Sequence, residues 1–197
     1  DGPVDQFNQT LVLATPAGVS EADVVAVLQA LLDRHATLRM RVEDDGAGGW
    51  SLTVPEPGSV QGADCLSTAE VISDEVLVAA RSGLDPAAGM MLRAVWAADT
   101  SQLALTIHHL AVDGVSWRIL VPDLAAAWAA IADGKKPALA ATGTSLRGWA
   151  QRLAAEAQDA ERVAELSFWR GMLRAPSLSL VDGELVRSRN PNEMKCT

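Results

Sequence analysis

The stretch TIHHLAVDGVSWRIL, residues 106–120, carries the strongest structural and chemical signal in the sequence. The apolar run LALTI at 103–107 predicts a strand that ends at two adjacent histidines, His108 and His109. The pair Asp113-Gly114 then predicts a turn into a helix that begins at about residue 115. Because side chains alternate across a strand, the two imidazoles face opposite sides, and only one of them faces a given cavity. Strand ends that lead into helices often display catalytic side chains over a crevice, so this junction is the candidate site.

The same residues also have simpler structural explanations. A histidine is more often a hydrogen-bonded core or surface residue than a catalytic one. Asp113 fits an N-cap or an Asx turn, and Gly114 fits a turn. The two histidines with Asp113 suggest part of a metal site, but the stretch lacks a further ligand at metal spacing, so we expect no metal.

Outward from this junction, apolar spacing predicts alternating strands and helices. Strands are predicted at 7–15, around 38–42, around 50–54, at 90–97 and at 103–107, and helices at 20–34, 68–82 and 115–132, with an amphipathic stretch over 145–173. Ser20 and Asp23 loosely resemble a capping box. Arg39 and Arg41 share the polar face of their strand, and the simpler explanation of such arginines is a pair of solvated charges. This order predicts an α/β or α+β layered sandwich, a mixed sheet with helices packed on its faces.

Composition limits the classes of function. The 197 residues are 49% apolar and carry a net charge of −9, which excludes a disordered polar chain and argues against nucleic acid or an anionic membrane as the main partner. No apolar run is long enough to span a bilayer. The N-terminus has no signal-peptide pattern, so we expect a cytoplasmic protein. The two cysteines, Cys65 and Cys196, are expected to be reduced thiols, with no disulfide framework or zinc site.

The motif at the junction resembles a known family. HHLAVDG, residues 108–114, is similar to the HHxxxDG signature of the condensation-domain superfamily of nonribosomal peptide synthetases, whose members resemble chloramphenicol acetyltransferase in fold. The continuation DGVSWRILVPDL is similar to epimerization members, in which Ser-Trp-Arg commonly follows the DG. The resemblance extends over residues 5–175 through FNQ (7–9), RHATLRMRV (34–42), LDPAAGMMLRAVW (84–96), SLRGWAQRLAAEAQ (145–158) and ELSFWRGML (165–173).

The resemblance is incomplete in length. Family domains are about twice as long and form two similar lobes around a tunnel. This sequence resembles the N-terminal lobe alone, over residues 1–180, with 181–197 as a polar tail. It lacks the opening helix that normally precedes FNQ and any match to the glutamate motif of the second lobe. We therefore expect the missing second lobe of the same synthetase to be a partner, and the isolated lobe to be inactive.

The resemblance also implies a substrate and a set of roles. The substrate would be an aminoacyl or peptidyl thioester on the 4'-phosphopantetheine arm of a peptidyl carrier domain, with no cofactor bound directly. His109 would transfer the Cα proton, and His108 would be structural. Asp113 would point away from substrate and pair with Arg39 to fix the histidine loop. Ser116 and Trp117 would line the channel, although a tryptophan at this spacing is more often core.

Three hypotheses stay open. The first is an epimerization lobe, which the segment 116–118, Ser-Trp-Arg, favours. The second is condensation, in which His109 positions or deprotonates an acceptor amine. The third is a catalytically silent lobe that docks carrier domains or partner enzymes. The intact HHxxxDG argues against the third, and the short length argues for inactivity of this chain by itself.

Overall fold

Strands and helices alternate along the chain in the order that apolar spacing predicts. The computed structural model describes residues 7–44, 46, 48–140 and 143–174. The strands are β1 (Asn8–Ala14), β2 (Arg41–Asp44), β3 (Trp50–Thr53), β4 (Leu66–Thr68), β5 (Leu92–Ala97) and β6 (Gln102–His108). The helices are α1 (Glu21–Arg34), α2 (Gly62–Cys65), α3 (Asp74–Ser82), α4 (Trp117–Ala132), α5 (Leu146–Glu156), α6 (Ala160–Ala164) and α7 (Leu166–Arg174), with a 3₁₀ helix at Ala36–Arg39.

A mixed four-stranded sheet, in the order β1-β6-β5-β4, forms the centre of the fold. Strand β6 pairs antiparallel with both β1 and β5, whereas β4 pairs parallel with β5. The β1–β6 register sets Asn8 opposite His108 and Gln9 opposite Ile107. The start of β1 therefore lies beside the end of β6, where the histidine pair is. The predicted mixed sheet with helices packed on it is confirmed.

Helices cover both faces of this sheet. On one face, α1 and α4 enclose the largest apolar cluster with alternate residues of β5 and β6. The buried residues that α1 and α4 contribute to it are Val24, Val27, Leu28, Leu31, Leu32, Leu120, Leu124 and Ala127, and those of β5 and β6 are Leu92, Ala94, Trp96, Leu103, Leu105 and Ile107. On the other face, Ala80 of α3 packs against Val95 and Ala104. Burial on both faces explains why β5 and β6 read as continuous apolar runs rather than as alternating strands.

Helix α1 begins at a capping box, and the short helix α2 packs closely against it. The side chain of Ser20 accepts from the backbone N–H of Asp23, and the Asp23 carboxylate accepts from the Ser20 N–H at 2.9 Å, which is the reciprocal capping box that the sequence predicts. Gly62 of α2 lies against this helix. A Cβ at Gly62 would be 2.7 Å from the Val25 carbonyl oxygen, so glycine permits the close approach.

Two predicted elements differ from the structure. The helix predicted at 68–82 begins only at Asp74, with Ser73 as its N-cap, and it follows the short parallel strand β4, which the sequence analysis missed. The strand predicted from Leu38 begins at Arg41, because residues 36–39 form a 3₁₀ helix. Leu38, Met40 and Val42 are nevertheless all buried, as the alternation predicts. Strand β2 then forms a separate antiparallel hairpin with β3.

The chain divides into two compact units, Asp1–Arg147 and Gly148–Thr197. The first contains the sheets and α1 to α4. The described part of the second, up to residue 174, is helical, and Asp159 caps α6 by accepting from the Glu161 N–H at 2.9 Å. The predicted polar tail at 181–197 lies outside the described residues, so the lobe boundary at 180 stays a prediction. No helix in the described part of the chain is long and apolar enough to cross a membrane.

Candidate functional site

His109 follows the last residue of β6 and is held by the residue that precedes β1. Its backbone N–H donates to the Phe7 carbonyl oxygen at 2.8 Å, which extends the β1–β6 pairing by one residue. Its imidazole stacks on the Phe7 ring, with centroids 4.4 Å apart and planes 4° apart. The side chain is half-buried and the Phe7 ring is exposed. The imidazole therefore lies at the rim of the sheet and not inside packed apolar side chains.

A hydrogen-bonded chain connects His109 to the start of α4. The indole Nε1 of Trp117 donates to Oε1 of Gln9 at 2.8 Å. The other side of the same amide, Nε2 of Gln9, lies 3.0 Å from Nε2 of His109. Trp117 also packs against the main apolar cluster. Trp117 therefore has a core contact and a hydrogen bond that leads to His109, and its place in the lining of a channel stays a prediction.

His108 has different surroundings from its neighbour. Its side chain is fully buried, and its Nδ1 accepts from the Leu110 N–H at 3.2 Å. It borders a cavity of about 840 Å³ lined also by Val42, Leu84 and the exposed side chains of Leu52 and Leu110. His109 does not line this cavity. The two adjacent imidazoles are therefore presented to different environments, as strand alternation requires.

Asp113 organises the turn between β6 and α4. Its carboxylate accepts from the Val115 N–H at 3.0 Å, the Ser116 N–H at 2.8 Å and the Ser116 hydroxyl at 2.8 Å. Oγ of Ser116 in turn accepts from the Asp113 N–H at 3.0 Å. These bonds, led by the one from the Ser116 side chain, lower the pKa of Asp113. Gly114 and Asp113 are both exposed in this turn. The simpler explanation of Asp113, an Asx-type turn before the helix, describes its contacts.

Arg39 and Asp113 are not brought together, contrary to what the family resemblance implied. The guanidinium of Arg39 donates to the carbonyl oxygens of Leu32, Asp33 (2.9 Å) and Pro55 (3.2 Å). No ion pair among the described residues joins it to Asp113. Arg39 instead donates to carbonyl oxygens at the end of α1, which lack donors within the helix. The Asp113 carboxylate accepts its hydrogen bonds from within its own turn. The expected solvation of Arg39 is also wrong, since the residue is 4% exposed.

Phe7 and Gln9 are the residues that the sequence analysis did not assign to the site. Both lie in the FNQ segment, which the sequence analysis placed at the start of a predicted strand and linked to the family, without giving either residue a role. They reach His109 through the pairing of β1 with β6, across about a hundred residues of sequence, and no local pattern predicts such a pairing.

Outside the junction of β6 and α4, we considered possible metal sites and the third histidine. Among the described residues, no group of three or more His, Cys, Asp or Glu side chains is arranged to hold a metal ion. The third histidine, His35, contacts Asp123 on α4 at 2.8 Å, and Arg34 contacts the same carboxylate oxygen at 2.7 Å. This cluster joins α1 to α4.

Comparisons with known proteins agree with this architecture. Residues 4–195 match the family model of the condensation domain. A linear gramicidin synthase of Brevibacillus parabrevis is 32% identical over 178 residues, which are 84% of this chain and 2% of that protein.

Two solved structures show the same fold. The epimerization domain from the third module of tyrocidine synthetase B superposes with a TM-score of 0.75 at 22% identity, over 89% of this chain and 42% of that one. A structure on condensation domain-mediated chain release from the enacyloxin polyketide synthase gives a TM-score of 0.63 at 24% identity, over 88% and 35%. This chain thus spans less than half of each of these two solved chains and a small part of the gramicidin synthase. From the family match over nearly its whole length, the chain belongs to the condensation-domain superfamily of nonribosomal peptide synthetases.

Proposed function

We propose that residues 1–180 are the N-terminal lobe of an epimerization domain in a cytoplasmic nonribosomal peptide synthetase. Its substrate is an aminoacyl or peptidyl residue held as a thioester on the 4'-phosphopantetheine arm of a peptidyl carrier domain. The reaction converts the L form of that residue to the D form. The observation that carries the proposal is His109, a half-buried imidazole at the rim of the sheet whose ring is held by Phe7 and Gln9.

The chemistry needs a base beside the substrate. The Cα–H of a thioester is a weak acid, so its removal requires a positioned proton acceptor. In the proposed step the Cα–H bond breaks, its electron pair moves toward the thioester carbonyl to form an enolate, and the proton goes to Nε2 of His109. Return of a proton to the opposite face of Cα completes the inversion, and no oxidant or cofactor is consumed. Donors aimed at the enolate oxygen would stabilise it.

The return step needs a group on the other side of the substrate. His109 faces the substrate from one side only, and this chain spans 42% of the solved epimerization domain that it resembles in fold. We therefore propose that a second lobe of the synthetase supplies the opposite face. On this basis the 197 residues alone do not epimerize, whereas a longer protein with the segment that follows them does. The Ser-Trp-Arg sequence at 116–118 supports epimerization over condensation.

The test uses the longer protein with a carrier domain loaded with an aminoacyl thioester, in D₂O. We expect deuterium at Cα and accumulation of the D residue, measured by mass spectrometry and chiral chromatography. His109→Ala should lower the rate of exchange by about 10²–10⁴-fold. The matched control is His35→Gln, since His35 is a histidine that contacts Asp123 and not the site.

Other results of this assay would assign a different function or contradict the role of His109. Peptide-bond formation with an added acceptor, without exchange at Cα, would assign the condensation reaction instead. Carrier binding without either reaction would assign a silent docking lobe. Full exchange activity in His109→Ala would remove this imidazole from the mechanism, and turnover by the 197 residues alone would refute the need for a second lobe.

A further inference from the structure

We propose that Gln9, locked in one orientation by Trp117, is a positioning residue that selects the tautomer of the neutral His109 imidazole with its proton on Nδ1. The catalytic meaning of this assignment rests on the proposed function, but the tautomer itself is a property of the chain without substrate. Three contacts support it: Trp117 to Gln9, Gln9 to His109, and Phe7 to His109.

Trp117 determines which way the Gln9 amide points. An indole Nε1 carries a proton and has no acceptor capacity. It lies 2.8 Å from Oε1 of Gln9, so the amide oxygen faces the tryptophan. The flipped amide would set its NH₂ group against the indole N–H, two donors at hydrogen-bond distance with no acceptor between them. Because Trp117 is partly buried and packs against the main core cluster, the indole cannot turn away without losing these contacts.

The fixed amide then determines the protonation of His109. With its oxygen turned to Trp117, Gln9 presents N–H donors to His109 Nε2 at 3.0 Å. Only a nitrogen with a free lone pair accepts such a bond, so the neutral ring carries its proton on Nδ1. In the other neutral tautomer, the proton on Nε2 would face the amide N–H directly. The network therefore selects one of the two neutral tautomers.

Phe7 removes the remaining freedom of the ring. The stack at 4.4 Å between centroids holds the plane of the imidazole, while the Gln9 contact holds its rotation within that plane. The resting protein thus already has the Nε2 lone pair, which is the form that a base at Cα needs. Substrate must displace the Gln9 N–H from Nε2 before this nitrogen can accept the Cα proton.

The experiment measures the tautomer directly. In the 197-residue chain labelled with ¹⁵N-histidine, at a pH where the imidazoles are neutral, we expect Nε2 of His109 to give an unprotonated shift and Nδ1 a protonated one. The His109→Ala chain assigns the signals by their loss. Gln9→Glu keeps an acceptor for Trp117 but replaces the donor with a carboxylate oxygen, so we expect the proton to move to Nε2. Trp117→Phe, which keeps an aromatic ring in the core, should give mixed tautomers.

Controls and turnover separate this inference from the proposed function. The signals of His35, which contacts Asp123, should be unchanged in Gln9→Glu. In the longer protein, Gln9→Glu should lower kcat for Cα exchange at least about tenfold with little change in KM, because a wrong tautomer removes the base and not the binding. A protonated Nε2 in the unsubstituted chain, or an unchanged His109 spectrum in Gln9→Glu, would overturn the inference. If the ¹⁵N shifts of His109 are as expected but the unsubstituted longer protein shows no deuterium exchange at Cα, only the proposed epimerization is refuted.

Discussion

Nε2 of His35, the residue that caps the end of α1, lies 2.8 Å from the carboxylate of Asp123 on α4. The same carboxylate oxygen accepts from Nε of Arg34 at 2.7 Å. All three side chains are mostly buried, with 13–18% of each exposed. The contact is therefore a polar junction between the two helices that cover one face of the central sheet.

His35 should make stability depend on pH. Its burial lowers its pKa, and this effect outweighs the opposing hydrogen bond and charge of Asp123. As pH falls below about 6.5, the usual value for histidine, the unfolded chain binds a proton before the folded chain does. The free energy of unfolding should therefore fall with decreasing pH, by at most about 1.4 kcal/mol per pH unit from this group. Above pH 7.5, where His35 is neutral in both the folded and the unfolded chain, its titration should add almost no further pH dependence.

Urea unfolding at pH 7.5, 6.5 and 5.5 measures this dependence. His35→Gln keeps a side chain that can donate to Asp123 but does not titrate, so its stability should vary less over the same range. The difference between the two chains cancels the titration of carboxylates elsewhere. Equal slopes in both chains would show that His35 has the same pKa folded and unfolded.

Arg39 should be essential to stability and independent of Asp113. Replacing it with Met leaves the carbonyls of Leu32, Asp33 and Pro55 without their side-chain donor in a buried place, and we expect a loss of about 2–4 kcal/mol. Asp113→Asn keeps an acceptor in its turn and should cost much less. Because the two residues share no contact, a double-mutant cycle should give a coupling below about 0.5 kcal/mol. A coupling well above 1 kcal/mol would restore the ion pair that the family resemblance implied.

The sequence predicts best those elements whose residues lie next to one another in the chain. The strand at 103–107, the turn at Asp113 and the helix that follows are adjacent in the chain, so their spacing alone places His109 at a strand end. The capping box at Ser20 and the hairpin between β2 and β3 are local in the same sense. These elements agree with the structure because propensity, apolar period and turn chemistry point to the same arrangement.

What the sequence misses depends on contacts between distant segments. Gln9 enters the site only because β1 pairs with β6, and strand pairing leaves no signature in either strand. Arg39 follows a polar alternation, yet it is buried because the end of α1 and the 54–55 loop offer it carbonyl oxygens. Strand β4 is three residues long and depends on β5 for its hydrogen bonds. Three residues are too few to show the alternation of apolar and polar side chains that predicts a strand.

Gly62 should not tolerate a side chain. The Cβ of Gly62→Ala would lie 2.7 Å from the carbonyl oxygen of Val25 and 2.9 Å from the amide nitrogen of Gln29, both backbone atoms of a helix that cannot move freely. We expect a loss of about 1–3 kcal/mol from overpacking, read as a lower urea midpoint. Gly114→Ala is the matched control, since a Cβ there meets nothing within 4 Å. Equal midpoints for the two variants would show that α2 is not held against α1.

Cys65 should be an unreactive thiol in the folded chain. It is fully buried, and burial raises its pKa to about 11. At pH 8 only about one thiol in a thousand would be the thiolate that alkylating reagents attack. In a Cys196→Ser chain, where Cys65 is the single cysteine left, iodoacetamide should therefore label the native protein far more slowly than the same protein in urea, as followed by intact mass. Rapid labelling of the folded chain, at a rate near that of the unfolded one, would show that the α2–β5 side of the core opens readily.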